Sequence, residues 1–344
     1  MEEKMNNKTK TFGLIFCAIA FVVMIVMLFF VDDPKQIAEA LLTANPLFLL
    51  MSVACIVVYW LLEAIGLHII MKAIHPEQTF RHTLVVAVLG QYFNCITPFS
   101  SGGQPIQAFY LVKYGAPLSS ALTALLSKFI AYQFVLTVYS AIILIFRIGT
   151  IADNPTMVLL VIIGFIVNAA VIAFLLLLAF FRKAATKLAH FIVRALGKIR
   201  IVKDVDEKLK YVDGELEMYY QNFQFIKSKP WLIIKAAITT VIQLTVYLSI
   251  SYVIYLSFGL SGTDYLTIIS LQAFVLMISA FVPLPGAAGA AEGSYVLFFK
   301  DIFGSYTSLS TFIWRFLTFY FAIIVGIIVS LIISRGNKSE KNQP

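Results

Sequence analysis

Charge is what this sequence has least of. Only 13% of its 344 residues are Asp, Glu, Lys or Arg, roughly half the share of a soluble globule. Water-soluble domains adding up to this length would need far more polar surface, so that class is excluded. Cysteine is almost missing too. Cys17, Cys55 and Cys95 are odd in number and all lie in apolar stretches. That removes a disulfide framework and a C-x-x-C metal site and leaves three small apolar fillers. There is no G-x-x-x-x-G-K-[ST] loop and hence no built-in ATPase. An H-E-x-x-H pair, a Gly-rich nucleotide fingerprint and a Ser–His–acid arrangement are likewise absent. The expectation is a chain that is not an enzyme and carries no cofactor or metal. What is there is apolar: AVILMFWYC make up 60% of the chain, gathered into runs such as Phe12–Val31 and Met157–Phe181. Each run is long enough to cross about 30 Å of hydrocarbon. The expected fold class is an all-α polytopic membrane protein.

The formal charge of +8 is placed for topology rather than for nucleic acid. Residues 182–230 carry eleven Lys/Arg against six Asp/Glu. The other basic clusters are the N-terminal tail (Lys4, Lys8, Lys10), the loop with Lys72 and Arg81, and the C-terminal tail (Arg335, Lys338, Lys341). Lys/Arg-rich loops stay cytoplasmic, so both termini and 182–230 are expected inside. The first apolar run leads into Val31-Asp32-Asp33-Pro34 without a small-x-small cleavage site and reads as an uncleaved span.

Six segments are long enough to cross outright: 12–31, 47–71, 118–146, 157–181, 231–257 and 308–333. Two regions are not. Segment 83–97 breaks at Thr97-Pro98-Phe99-Ser100-Ser101-Gly102-Gly103-Gln104-Pro105, and a short apolar piece, 106–112, ends at Lys113. Segment 265–282 runs into Pro283-Leu284-Pro285-Gly286-Ala287-Ala288-Gly289-Ala290-Ala291-Glu292-Gly293, then a short piece to Lys300. Prolines and glycines inside apolar sequence open the helical ladder, and the freed backbone groups must face protein or a water-filled cavity. The loop charges make the two regions re-entrant hairpins of opposite sense. Gln104 is followed by Lys113 and Lys128, and Glu292 at nearly the same spacing by Lys300 and Arg315. Broken segments at matching places in two inverted halves point to a transporter's substrate site. The expected organisation is therefore a tail (1–11), an N-terminal membrane half (12–181) with its break at 97–105, and a basic helical segment (182–230). A C-terminal membrane half (231–334) with its break at 283–293 and a tail (335–344) complete it.

Four charged side chains fall at membrane depth: Glu63, Lys128, Glu292 and Arg315. Each costs at least about 2.5 kcal/mol at the bilayer centre, and such residues face a cavity or a partner. Two acids and two bases allow two pairs, for example Glu292 with Lys128 or Glu63 with Arg315. A polar lipid headgroup would use both signs. Its phosphate suits Arg315, Lys128 and the N–H groups at the half-helix starts near Gly103 and Ala291. Its ammonium or hydroxyl groups suit Glu292, Glu63, Thr97, Ser100, Ser101 and Gln104, with Gly102 and Gly103 beside them. His68, one turn past Glu63, would bond it or be satisfied elsewhere.

Within 182–230, Lys187, Arg194 and Lys198 share a stripe beside Leu188, Ile192, Ala195 and Ile199, which suits a helix on the anionic inner leaflet. Val205, Leu209, Val212, Leu216 and Tyr219 then recur at helical spacing. Asp204-Val205-Asp206 has the form of the acid-x-acid motif of metal-dependent glycosyltransferases, but nothing around it builds an oxygen cage.

The first break, with its Thr97-Pro98 and Gly102-Gly103-Gln104-Pro105, resembles the signature of the lysylphosphatidylglycerol synthase transmembrane-region family. The second, from Pro283 to Gly293, is similar to that family's P-x-P-G-G-x-G-x-x-E-G, with Ala287 where the second glycine is usual. The resemblance covers essentially the whole chain. Its best-known relatives are the flippase domains of the multiple peptide resistance factor, so it implies lipid translocation without the aminoacyl-transferase part. It implies a multi-pass protein of the bacterial cytoplasmic membrane, with a phospholipid or glycolipid substrate. Anionic inner-leaflet lipids, a separate lipid synthase and a second copy in a homodimer are the further partners to expect, and nucleic acid is not. A membrane-embedded lipid or glycosyl transferase using Asp204 and Asp206, a scaffold for a synthase and an ion-coupled solute transporter are the rival readings.

Overall fold

The computed structural model describes residue 42 and residues 44–198, 204–280 and 282–340. The expected span 12–31 and both extreme tails lie outside them. Among the described residues there is no strand. The helices are α1 (Pro46–Ile74), α2 (Phe80–Ile96), α3 (Gly103–Lys113), α4 (Leu118–Arg147), α5 (Pro155–Phe180), α6 (Arg182–Lys198) and α7 (Val205–Lys227). They continue as α8 (Pro230–Ser257), α9 (Tyr265–Ser279), α10 (Ala290–Phe303), α11 (Thr307–Arg315) and α12 (Phe321–Glu340).

Local chemistry sets the starts. Asn45 and Asn154 accept hydrogen bonds from Leu47 N and Met157 N at 2.9 and 3.2 Å, each just before a proline at the first helical position. Thr79 and Asp264 cap α2 and α9 in the same way. A short polar side chain satisfies an orphan N–H, and proline has none to satisfy. Around Asp264 the hydrogen bonds from Thr267 hold the carboxyl below its ordinary value.

Helices α1, α4, α5 and α8 are long and apolar enough to cross a membrane, as is the helical run that ends at Ile333. Their outward faces are apolar: Ile145, Leu159 and Ile166 are 72%, 57% and 59% exposed. An apolar exterior on long helices means lipid, not water. The chain is a multi-pass membrane protein.

Helix α9, with 15 residues, is only about 22 Å long. It turns back as α10 through Pro285–Ala287, as α2 turns back as α3 through Pro98–Ser100. Proline forces the residue before it out of the helical region, and Thr97 is extended at φ −117°, ψ 146°. The next two residues in each turn have positive φ: Phe99 and Ser100 at 54° and 51°, Gly286 and Ala287 at 57° and 55°. Only Gly286 adopts this without a penalty; the others cost roughly 1–2 kcal/mol each. A shift of 187 residues carries Pro98 to Pro285, Phe99 to Gly286, Gly102 to Gly289, Lys113 to Lys300 and Lys128 to Arg315. By this backbone register the counterpart of Glu292 is Pro105, and Gln104 matches Ala291, one position from the correspondence read off charge spacing. The two turns pack against each other, and α1 packs along α8.

Candidate functional site

A cavity of about 1450 Å³ opens around the meeting turns. Ser100, Ser101 and Gln104 line it from the first break, Gly286 and Ala287 from the second, and Glu63, Lys128 and Arg315 from α1, α4 and α11. Six of the expected site residues thus share one cavity. Glu292, Thr97, Gly102 and Gly103 are not on its wall.

The charges pair within their own halves, which corrects the expected pairing of Glu292 with Lys128 and of Glu63 with Arg315. Lys128 is ion-paired with Glu63, and Gln243 Nε2 on α8 donates to the same Glu63 oxygen at 2.8 Å. Glu63 and Lys128 are 7% and 8% exposed. The Lys128 ammonium also lies 5.3 Å from the Tyr132 ring centroid. Arg315 Nε stands 2.6 Å from Glu292 Oε1. The cause is chain geometry: α1 packs on both α4 and α8, whereas α10 and α11 form a tight hairpin that returns Arg315 over the start of α10.

The rest of the Glu292 carboxylate and of the guanidinium holds the second turn. Glu292 Oε2 accepts from Gly289 N at 2.6 Å and Arg315 Nη2 donates to Gly286 O at 2.7 Å. The guanidinium also lies 4.2 Å from the Phe319 ring centroid. A Cβ at Gly286 would come within 2.0 Å of that ring, so no larger residue fits there. Arg315 ends α11 where a π-turn, Phe316–Tyr320, begins; such insertions often mark functional positions. Its Nη1 makes no hydrogen bond among the described residues.

The half-helix N–H groups are largely used internally. Gly102 N donates to Thr97 Oγ1 at 2.8 Å and Gly103 N to Asn94 Oδ1 at 2.9 Å. Thr97, Gly102 and Gly103 therefore build the first break from within. His68 pairs with the Thr83 hydroxyl at 3.2 Å, not with Glu63.

Helix α6 places Leu188, Ala189 and Ile192 on the cavity wall beside Val212, Leu216 and Tyr219 of α7, while Lys187, Arg194 and Lys198 are exposed. Ile199 lies outside the described residues. Asp204 and Asp206 are exposed around the start of α7 and away from the cavity wall; acids there suit the positive end of the helix dipole.

Charge counting passes over neutral polar groups. Gln133, Asn168 and Gln272, in the middle of apolar helices, line the cavity, and Gln133 Nε2 donates to Asn168 Oδ1 at 2.9 Å. Amides at membrane depth were the available signal.

The family model of the lysylphosphatidylglycerol synthase TM region matches residues 15–326, which take in both broken turns and the cavity between them. The chain belongs to this family. The lysylphosphatidylglycerol synthase transmembrane-region family has further similar members in archaea. A "UPF0104 membrane protein" of Methanothermobacter thermautotrophicus is 24% identical over 326 residues, covering 92% of this chain and 94% of the relative. Another "UPF0104 membrane protein", of Archaeoglobus fulgidus, is 23% identical over 313 residues, covering 86% and 90%.

Proposed function

We propose that the chain moves the polar headgroup of a phospholipid or glycolipid between the leaflets of the cytoplasmic membrane, the acyl chains staying in the bilayer. The observation that carries this is the cavity: it joins both broken turns, a buried cation at each of two ion pairs and the apolar wall of α6 and α7. Broken helices facing each other across two inverted halves would let the headgroup be exposed to each side in turn. Arg315 and Lys128 take the phosphate, and Gln104, Ser100 and Ser101 the neutral oxygens. Glu63 positions Lys128. Glu292 positions Arg315 and ties it to the start of α10. Both termini are cytoplasmic in this reading, as the basic loops require, and the exposed basic face of α6 and α7 meets anionic lipid or a synthase.

The test compares labelled phosphatidylglycerol, its lysyl ester and a glycolipid in proteoliposomes of the wild type and Glu292→Gln. At least one lipid is expected to cross faster than in protein-free vesicles. The variant should lose about tenfold or more, since a charged hydrogen bond contributes roughly 1.5–3 kcal/mol. No acceleration for any lipid with folded protein favours the scaffold instead.

A further inference from the structure

Among the described residues, the buried cavity-wall atoms without a hydrogen-bond partner include two neutral N–H donors, on Gln272 and Trp314. Gln272 of α9 is fully buried, at 0% exposure, and lines the cavity. Its Oε1 accepts from Ser251 Oγ of α8 at 2.6 Å, which leaves the amide's NH2 end as the free one. Nε2 is buried and has no hydrogen-bond partner among the described residues. Trp314 of α11 is 2% exposed and lines the same cavity. Its ring stacks on Tyr295 with centroids 4.7 Å apart, so its orientation is set by packing, and its Nε1 is also buried without a partner.

The two donors belong to one neighbourhood. The Tyr295 hydroxyl lies against Ser251, the residue that orients Gln272, while its ring carries Trp314. Arg315 follows Trp314 in the chain. A buried N–H left unpaired loses what a hydrogen bond would return, and native folds keep few of them. Two on the wall of a single cavity mark the place of a ligand's acceptors.

We infer that Gln272 and Trp314 form an oxygen-accepting subsite beside Arg315, and that the headgroup entering it is a polyol, such as glycerol, inositol or a sugar, esterified to phosphate. The inference rests on the headgroup reading above and adds the substrate class. An indole N–H and the NH2 end of an amide can only donate. An ammonium can only donate as well, so it finds no partner at these two residues. A hydroxyl or phosphoryl oxygen does. Arg315 supplies the charge for the phosphate, which leaves the neutral donors for uncharged oxygens. Of the acids, Glu63 and Glu292 are each paired with a cation, while Glu215 of α7, against the Tyr211 hydroxyl, keeps its buried Oε2 without a partner among the described residues.

Lipid binding to the full-length protein, followed by native mass spectrometry, tests this. Three probes of matched chains are compared: phosphatidylglycerol, phosphatidylmethanol and phosphatidylethanolamine. Phosphatidylmethanol keeps the phosphodiester charge and lacks the hydroxyls. The wild type is expected to bind phosphatidylglycerol about five- to tenfold tighter than phosphatidylmethanol, the return on one or two neutral hydrogen bonds. Trp314→Phe, which keeps the stack on Tyr295, and Gln272→Met, which keeps the length, should each erase most of that ratio and leave phosphatidylmethanol unchanged. Equal binding of the two anionic lipids to the wild type overturns the subsite. So does an equal loss for all three lipids in both variants, or no loss at all. Selective binding without movement in proteoliposomes sinks the translocation reading and spares the subsite; movement without headgroup preference does the reverse.

Discussion

Arg315→Gln is expected to slow headgroup movement in proteoliposomes by a hundredfold or more, and Arg315→Lys to recover little of it. The guanidinium does three things at once: it meets Glu292 at 2.6 Å, donates to the Gly286 carbonyl at 2.7 Å and lies over Phe319. In the proposed cycle it also meets the phosphate. Two charge-assisted contacts at roughly 1.5–3 kcal/mol each amount to a hundredfold or more, at about 1.4 kcal/mol per tenfold. A lysine offers a point charge, without the planar fork that spans a carboxylate, a carbonyl and a phosphate together. Initial rates at equal amounts of reconstituted, monodisperse protein are the readout. Either variant keeping more than about a third of the wild-type rate would remove Arg315 from the mechanism.

Glu63→Ala should be the most destabilising single change in the polar interior. Lys128 would keep its charge, 8% exposed, without the carboxylate that faces it, and Gln243 would lose its acceptor. Removing one partner of a buried pair costs about 3–5 kcal/mol, which corresponds to a fall in apparent Tm on the order of 10 °C. The double replacement Glu63→Met with Lys128→Met tells structure from function. Two apolar side chains of similar volume should bring stability back to within about 1 kcal/mol of the wild type, since buried pairs are often replaceable in this way. Movement of phosphatidylglycerol should stay lost, because the Lys128 cation is gone. A stable double variant that moves lipid at the wild-type rate would make the pair purely structural.

What could be read from residues was whatever is written locally. Pro98 and Pro285 open helices wherever they stand, and a charge in an apolar run is conspicuous, so both breaks and all four intramembrane charges were legible. Pairing was not, because it depends on which helices touch. Nothing near Glu63 in the chain announces that α1 lies against both α4 and α8, and the Glu292–Arg315 contact needs the tight return of α11. The correspondence of the halves was nearly visible in charge spacing. It took the positive-φ residues Phe99 and Gly286 to show that Pro105, not Gln104, stands where Glu292 does. Helix α6 shows a different limit: an apolar stripe bordered by lysines suits a leaflet surface and a cavity wall equally, and Leu188 and Ile192 turn to the cavity. Thr97, Gly102 and Gly103 read as ligand groups, yet their donors and acceptors are consumed in building the turn. Gln133, Asn168, Gln243 and Gln272 carry no charge, so their polar role at depth shows only in the packing that brings Gln133 to Asn168, Gln243 to Glu63 and Gln272 to Ser251.

The central claim, that the headgroup passes through the cavity between the two turns, is tested most directly by blocking it. Ala280 is exposed at the end of α9 and lines the cavity, but takes no part in the ion pairs. In a background with Cys17, Cys55 and Cys95 replaced by Ala, Ala280→Cys would be reacted to completion with a bulky, charged thiol reagent. Movement of labelled phosphatidylglycerol would then be measured before and after. The account predicts wild-type movement before labelling and, after it, a rate no faster than that of protein-free vesicles. Fully labelled protein that still moves the lipid at the unlabelled rate would contradict it.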